Sequence, residues 1–173
     1  MRRWILFAVC AAVAAAAQGP LVLLDGWHNN EVQPHYRWEG TYPGGYSELG
    51  KLLRGLGATL GTAREAITGP TLAGADCLIV ADPDTPGETA NPNYFTADEI
   101  GAVREWVRAG GRLVLFGNDP GNAEFEHFNL LAREFGIRFI EKKYVNGPGA
   151  SKLTLQVPPY HGVLTGGGAF YAV

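Results

Sequence analysis

Cysteine is close to absent from this sequence. Of the two, Cys10 falls in an N-terminal apolar run and Cys77 inside another, so an ordinary hydrophobic core must hold the chain rather than a disulfide framework. Basic residues never occur in runs longer than two, and 14 Lys and Arg against 17 Asp and Glu leave a formal charge of -3. That excludes the electrostatic footprint of a nucleic-acid binder or of a protein held on an anionic membrane. No apolar run reaches the roughly 20 residues that span a bilayer. Familiar catalytic signatures are missing as well. There is no G-x-S-x-G or G-x-C-x-G elbow, no G-x-x-x-x-G-K-[ST] phosphate loop and no His-x-x-x-His pair. The glycines at 166–168 lack the strand and helix that a dinucleotide fingerprint needs, and Cys77 reads as a small inert hydrophobe.

What is present begins with a leader. Met1-Arg2-Arg3 is a short basic start, residues 4–17 are uncharged, and Ala15 to Ala17 offer the small side chains of a cleavage site before Gln18-Gly19-Pro20. A lipid anchor at Cys10 is disfavoured by the bulk of Val9 ahead of it. Residues 1–18 are therefore expected to be a signal peptide and 19–173 a single domain, exported to the periplasm or outside, with no membrane attachment after cleavage. Losing Arg2 and Arg3 takes the formal charge to -5. Roughly 155 residues remain, enough for one core and too few for two. The chain closes on the apolar run 169–173 without a stop signal, the end expected of a fragment of something longer.

Apolar runs alternate with helical patterns. Residues 21–24, 77–81 and 112–116 read as strands buried on both faces, with 58–60 a weaker one. Ser47 opens a helix through Leu56, with Leu49, Leu52, Leu53 and Leu56 as its stripe and Gly57 as its stop. Thr62-Ala63-Arg64-Glu65 and Thr96-Ala97-Asp98-Glu99 have the form of capping boxes, the second opening the clearest helix, which Gly110-Gly111 ends. A further helix runs to about Phe135 with Phe125, Phe128 and Ala132 on the same face, and 137–140 and 152–157 are expected strands. The alternation predicts a three-layer α/β/α, mostly parallel, doubly wound sheet.

In such a sheet the strand ends share one edge, where ligands bind. Asp25, Asp82 and Asn118-Asp119 end three strands here, and the loops leaving them hold Trp27, His28, Asn29, Asn30, Trp38, Asp84, Tyr94, Asn122, Glu124 and His127. Structural duties compete for several of these. Asp119 before Pro120 has the form of a helix N-cap, Asp82-Pro83-Asp84 that of a turn, and Glu124 and Glu126 suit a helix dipole. Trp27 and Trp38 would either lid the sheet edge or stack on sugar rings. Glu124 and His127 have a metal-ligand spacing without its partner motif. No cofactor is expected; calcium or magnesium held by Asp25, Asp82, Asp84 and Asp119 is the alternative.

Several stretches resemble a known family. Leu23-Leu24-Asp25, Asn29-Asn30-Glu31 and Tyr36-Arg37-Trp38-Glu39 are similar to the opening of a bacterial domain in the class I glutamine amidotransferase-like superfamily. Ile79-Val80-Ala81-Asp82-Pro83-Asp84-Thr85, Pro92-Asn93-Tyr94, and Gly117-Asn118-Asp119 with Gly121-Asn122-Ala123-Glu124-Phe125-Glu126-His127-Phe128-Asn129 continue the resemblance. That domain is often joined to, or encoded beside, unsaturated rhamnogalacturonyl hydrolases. The resemblance implies a flavodoxin-like fold, a setting in pectin breakdown and such a hydrolase as partner. The amidotransferase cysteine would follow the strand at 113–116, where this chain has Gly117-Asn118-Asp119, so glutamine hydrolysis by a thiolate is not expected.

Three functions are open to the sequence. The first is a carbohydrate-binding module, with Trp27, Trp38 and Tyr94 stacking on sugars and Asn29, Asn30, Asn118 and Asn122 bonding hydroxyls. The second is a hydrolase with Asp25 or Asp119 as base and Glu124 or His28 as acid. The third is a structural domain whose site has been lost.

Overall fold

The computed structural model describes residues 19–31, 35–42, 44–141, 153–157 and 168–172, the last two as paired strands. The expected leader, residues 1–18, lies outside the described residues. Four strands form one sheet: β1 (Leu21–Asp25), β2 (Thr59–Ala63), β3 (Cys77–Ala81) and β4 (Arg112–Phe116). Their order is β2-β1-β3-β4 and every pairing is parallel. Helices α1 (Ser47–Gly55), α2 (Gly69–Leu72), α3 (Ala97–Arg108) and α4 (Phe125–Arg133) complete the layers. This is the expected three-layer, flavodoxin-like arrangement. Beyond it, β5 (Leu153–Val157) and β6 (Gly168–Ala172) pair antiparallel.

The strand alternation distributes the core. Leu23, Leu78 and Val80 face one side, packed with Leu72 of α2, Ile100 and Val103 of α3, and Phe128 and Leu131 of α4. Val22, Leu24 and Ile79 face the other, with Trp38 and with Leu49 and Leu53 of α1. The remaining leucines of the α1 stripe, Leu52 and Leu56, are 61% and 73% exposed. Gly57 stops that helix at φ +89, and Gly110 follows the end of α3 at φ +108; both are conformations that a side chain would strain.

Sequence reasoning misplaced three features. The Thr62–Glu65 pattern opens no helix, because pairing with β1 as far as Asp25↔Ala63 holds Thr62 and Ala63 extended in β2. Residues 137–140 form no strand. The Phe139 N–H donates to Asn129 Oδ1 (2.8 Å) and its carbonyl accepts from Asn129 Nδ2 (3.1 Å), so one side-chain amide of α4 takes the place of a neighbouring strand. Asp119 caps no helix: Gly121 turns the chain at φ +94, and α4 starts later, capped by Glu124, whose carboxylate accepts from the His127 N–H.

Candidate functional site

The chain leaves β1 for β2 on one side and returns to β3 on the other. The carboxyl ends of β1 and β3 therefore flank the switch point where open α/β sheets bind ligands. Hydrogen bonds knit three loops together there. The Asp84 N–H donates to the His28 carbonyl (2.8 Å), Asn93 Nδ2 to the Trp27 carbonyl (2.8 Å), and the Glu124 N–H to the Pro83 carbonyl (2.8 Å).

The innermost group at this edge is a buried ionic triad. His28 Nδ1 lies 2.7 Å from Asp25 Oδ2, and the backbone N–H groups of Trp27 and His28 donate to Asp25 Oδ1. On its other side, His28 Nε2 is 3.4 Å from Glu99 Oε1, an ion-pair distance without hydrogen-bond alignment. The imidazole stacks on Phe95 with ring centroids 3.6 Å apart. Burial disfavours the charged ring, but the carboxylates of Asp25 and Glu99 outweigh it and lift His28 to about 9. Glu99 loses solvation too. The nearby His28 ring, and hydrogen bonds from the Thr96 N–H and hydroxyl and from the Ile67 N–H, nevertheless hold it at about 2. Asp25 and His28, expected as base and acid, thus serve as a sealed clamp between the β1 loop and the start of α3. Glu99 was missed because its capping-box role seemed sufficient; the same carboxylate also reaches His28.

Around the clamp lies a second, more open cluster. Asp82 follows β3 with φ +51, a left-handed conformation that Asp tolerates better than most residues. Its Oδ2 accepts from Asn118 Nδ2 (3.2 Å), which also reaches the Tyr36 hydroxyl (3.0 Å). Asn29 Nδ2 donates to the Asp82 carbonyl (2.9 Å). Asp84 accepts from the Asn30 N–H (2.6 Å). Burial, reinforced by Glu88 and Glu31 and, for Asp82, by Asp84, pushes Asp82 up to about 7 and Asp84 to about 6. Burial and the same acids raise Tyr36 to about 12. Three buried acceptors at this edge, Asn29 Oδ1, Asn30 Oδ1 and Asp82 Oδ1, have no partner among the described residues. Glu31, Tyr36 and Glu88 belong to this site as well; the sequence placed them in the strand-end loops without giving them a role.

The other candidates separate from this cluster. Trp38 is 6% exposed, packs in the α1-side core and donates Nε1–H to the Gly61 carbonyl (2.9 Å), so its ring is closed to a ligand. Trp27 is half-buried. Tyr94 stacks on His127 at 4.6 Å between ring centroids. Asn122 Nδ2 donates to Asp119 Oδ1 (2.6 Å), closing the turn before α4. Glu124, expected as a catalytic acid, is occupied as the cap of that helix. The donor atoms of Glu124, Glu126 and His127 lie within 4.8 Å of one another and are the ones close enough to share a metal ion among the described residues; Asp25, Asp82, Asp84 and Asp119 are not so gathered. Open clefts lie beside Arg64 and Thr71 and along α4. Among the described residues no helix is long and apolar enough to cross a membrane.

Fold and site together define a flavodoxin-like α/β/α domain with a polar cluster at its β1/β3 switch point. Residues 39–144, more than half of the chain, match the model of the domain of unknown function DUF4350, and the chain belongs to that family. No curated protein matches it. A solved structure, the mmIFT52 N-terminal domain, is similar with a TM-score of 0.57 and 21% identity over 87% of this chain. The chain spans 64% of that structure's length, and the likeness is one of fold.

Proposed function

We propose that this chain is a non-catalytic module that binds a saccharide at the carboxyl edge of its sheet. Its proposed setting is exported, in polysaccharide breakdown beside a rhamnogalacturonyl hydrolase, on the strength of the leader pattern and the family resemblance. The observation that carries the binding reading is the set of unpartnered acceptors, Asn29 Oδ1, Asn30 Oδ1 and Asp82 Oδ1, at the switch point. A buried acceptor without a donor costs about 1–3 kcal/mol, and sugar hydroxyls are a dense source of donors. The Asn118 amide is exposed and bridges Tyr36 and Asp82, so a ligand reaching Asp82 would displace it. Among the described residues the free cysteine, Cys77, begins β3 and so lies at the far end of that strand from the site.

Calorimetric titration of a panel that includes rhamnogalacturonan oligosaccharides tests this. Saturable binding without product release is expected, weakened at least about tenfold by Asn29→Ala. Silence across the panel would sink the reading.

A second reading is a carboxylate hydrolase, and one observation favours it: Asp82, raised to about 7, stands near Asp84, raised to about 6. A carboxyl still protonated near neutrality is a usable general acid. Turnover that Asp82→Asn abolishes while binding persists would select this reading over the first.

A further inference from the structure

The loops that meet over Asp82 are rich in carboxylates and poor in bases. Residues 82–96 contain Asp82, Asp84 and Glu88 with no Lys, Arg or His, and residues 117–124 contain Asp119 and Glu124, again with none. The first loop adds Glu31, buried at 6% exposure. Its nearby bases are already engaged: His35 Nδ1 lies 2.6 Å from Glu31 Oε1, and Arg37 Nη2 donates to the Glu31 carbonyl at 2.6 Å. Burial, and then the charges of Asp82, Glu31, Glu88 and Asp119, raise the Tyr36 phenol. Into that negative region are set two unpartnered oxygens on side chains more than nine-tenths buried, Asp82 Oδ1 and Asn29 Oδ1.

A bare metal ion would answer the charge, but it needs ligand atoms closed around it within a few ångström. Among the described residues, three His, Cys, Asp or Glu ligand atoms gather at Glu124, Glu126 and His127 and not here, so a bare ion at this edge would lack a carboxylate cage. A cation that carries its own neutral donors suits a set made of one carboxylate and two amide oxygens. An ammonium group on a sugar ring, flanked by hydroxyls, has that form: one charged donor for a carboxylate and neutral donors for amide oxygens.

We propose that this site selects saccharides bearing a free amine, with Asp82 receiving the ammonium and Asn29 and Asn30 the adjoining hydroxyls. The inference rests on the saccharide reading and narrows it. Like charge sets the same site against galacturonate and other uronic acids, so within a pectic setting the bound residue is not the acidic one.

The test is calorimetric titration of the full chain with three oligomers of equal length: glucosamine, N-acetylglucosamine and galacturonate. The glucosamine oligomer is expected to bind about tenfold or more tighter than its acetylated counterpart, with the advantage shrinking as salt is added, and galacturonate is expected to bind most weakly. Asp82→Asn keeps the shape and suits the left-handed backbone, and it is expected to bring the first two ligands close to equal. Glu88→Gln, at the half-buried rim, is expected to remove part of the preference without risk to the core. Equal or tighter binding of the acetylated or the acidic oligomer would overturn the amine preference and leave the saccharide reading standing. A persistent tenfold preference in Asp82→Asn would overturn the role given to Asp82. Failure of all three to bind would overturn the amine preference, and the saccharide reading falls with it only if the rhamnogalacturonan oligosaccharides are silent as well.

Discussion

The Asn118 amide nitrogen lies 3.2 Å from Asp82 Oδ2 and 3.0 Å from the Tyr36 hydroxyl. One exposed side chain thus joins the end of β4, the end of β3 and the first loop. At the turn after β4 it contributes a hydrogen-bond donor.

Asp82 makes stability depend on pH. Its folded value is about 7 against an ordinary 3.8, so its favourable contribution is complete below about 4 and is lost as pH rises through 7. Asp82→Asn mimics the protonated form. The variant is expected to match the parent near pH 4 and to exceed it at pH 8 by about 2 kcal/mol, a figure reduced because water reaches the Asn118 side of the carboxyl. Urea melts at both pH values check this; equal stabilities at pH 8 would contradict it.

The His28 clamp works in a different window. Its folded value of about 9 against 6.5 means that stability is fully present below 6.5 and lost as pH climbs through 9. Glu99, at about 2 against 4.5, contributes above 4.5 and loses that contribution as pH falls through 2. His28→Gln leaves two buried carboxylates without their cation, and a loss of about 3–5 kcal/mol is expected at pH 6. The alkaline fall in stability between pH 6.5 and 9 should flatten in the same variant.

The layers of the fold were legible because burial on two faces leaves an uninterrupted apolar run such as Leu21 to Leu24, and because Thr96 to Glu99 is a capping box that formed as written. The edge holding the site was legible too, since parallel strands all end on one side. Partnership within that edge was not. Nothing in the spacing of Asp25, His28 and Glu99 separates a sealed ionic clamp from a catalytic pair, and Glu99 sits 71 residues from His28. Trp38 lies in a polar stretch, yet the bond to the Gly61 carbonyl and packing against α1 turn it into core. Asn129 looked like any helical polar residue and proved to be what stands in for a strand beside Phe139.

The burial of Trp38 separates stability from binding. Trp38→Phe removes the indole donor to Gly61 and is expected to cost about 1–2 kcal/mol while leaving saccharide affinity unchanged. A large loss of affinity with little loss of stability would return Trp38 to the binding surface.

Divalent cations offer another discrimination. The carboxylates of Asp25, Asp82, Asp84 and Asp119 are not gathered for shared coordination, so millimolar calcium should leave the melting temperature unchanged. A saturable rise that Asp82→Asn removes would restore the calcium alternative at this edge.

The central claim is that the β1/β3 switch point binds a saccharide through acceptors left without donors. The most direct measurement is residue-resolved NMR during titration with the glucosamine oligomer. Saturating shifts at the side-chain amides of Asn29, Asn30 and Asn118 and at the Asp82 backbone, absent with Asn29→Ala, are predicted. No shifts at those four residues, or shifts confined to the cleft beside Arg64 and Thr71, would contradict it.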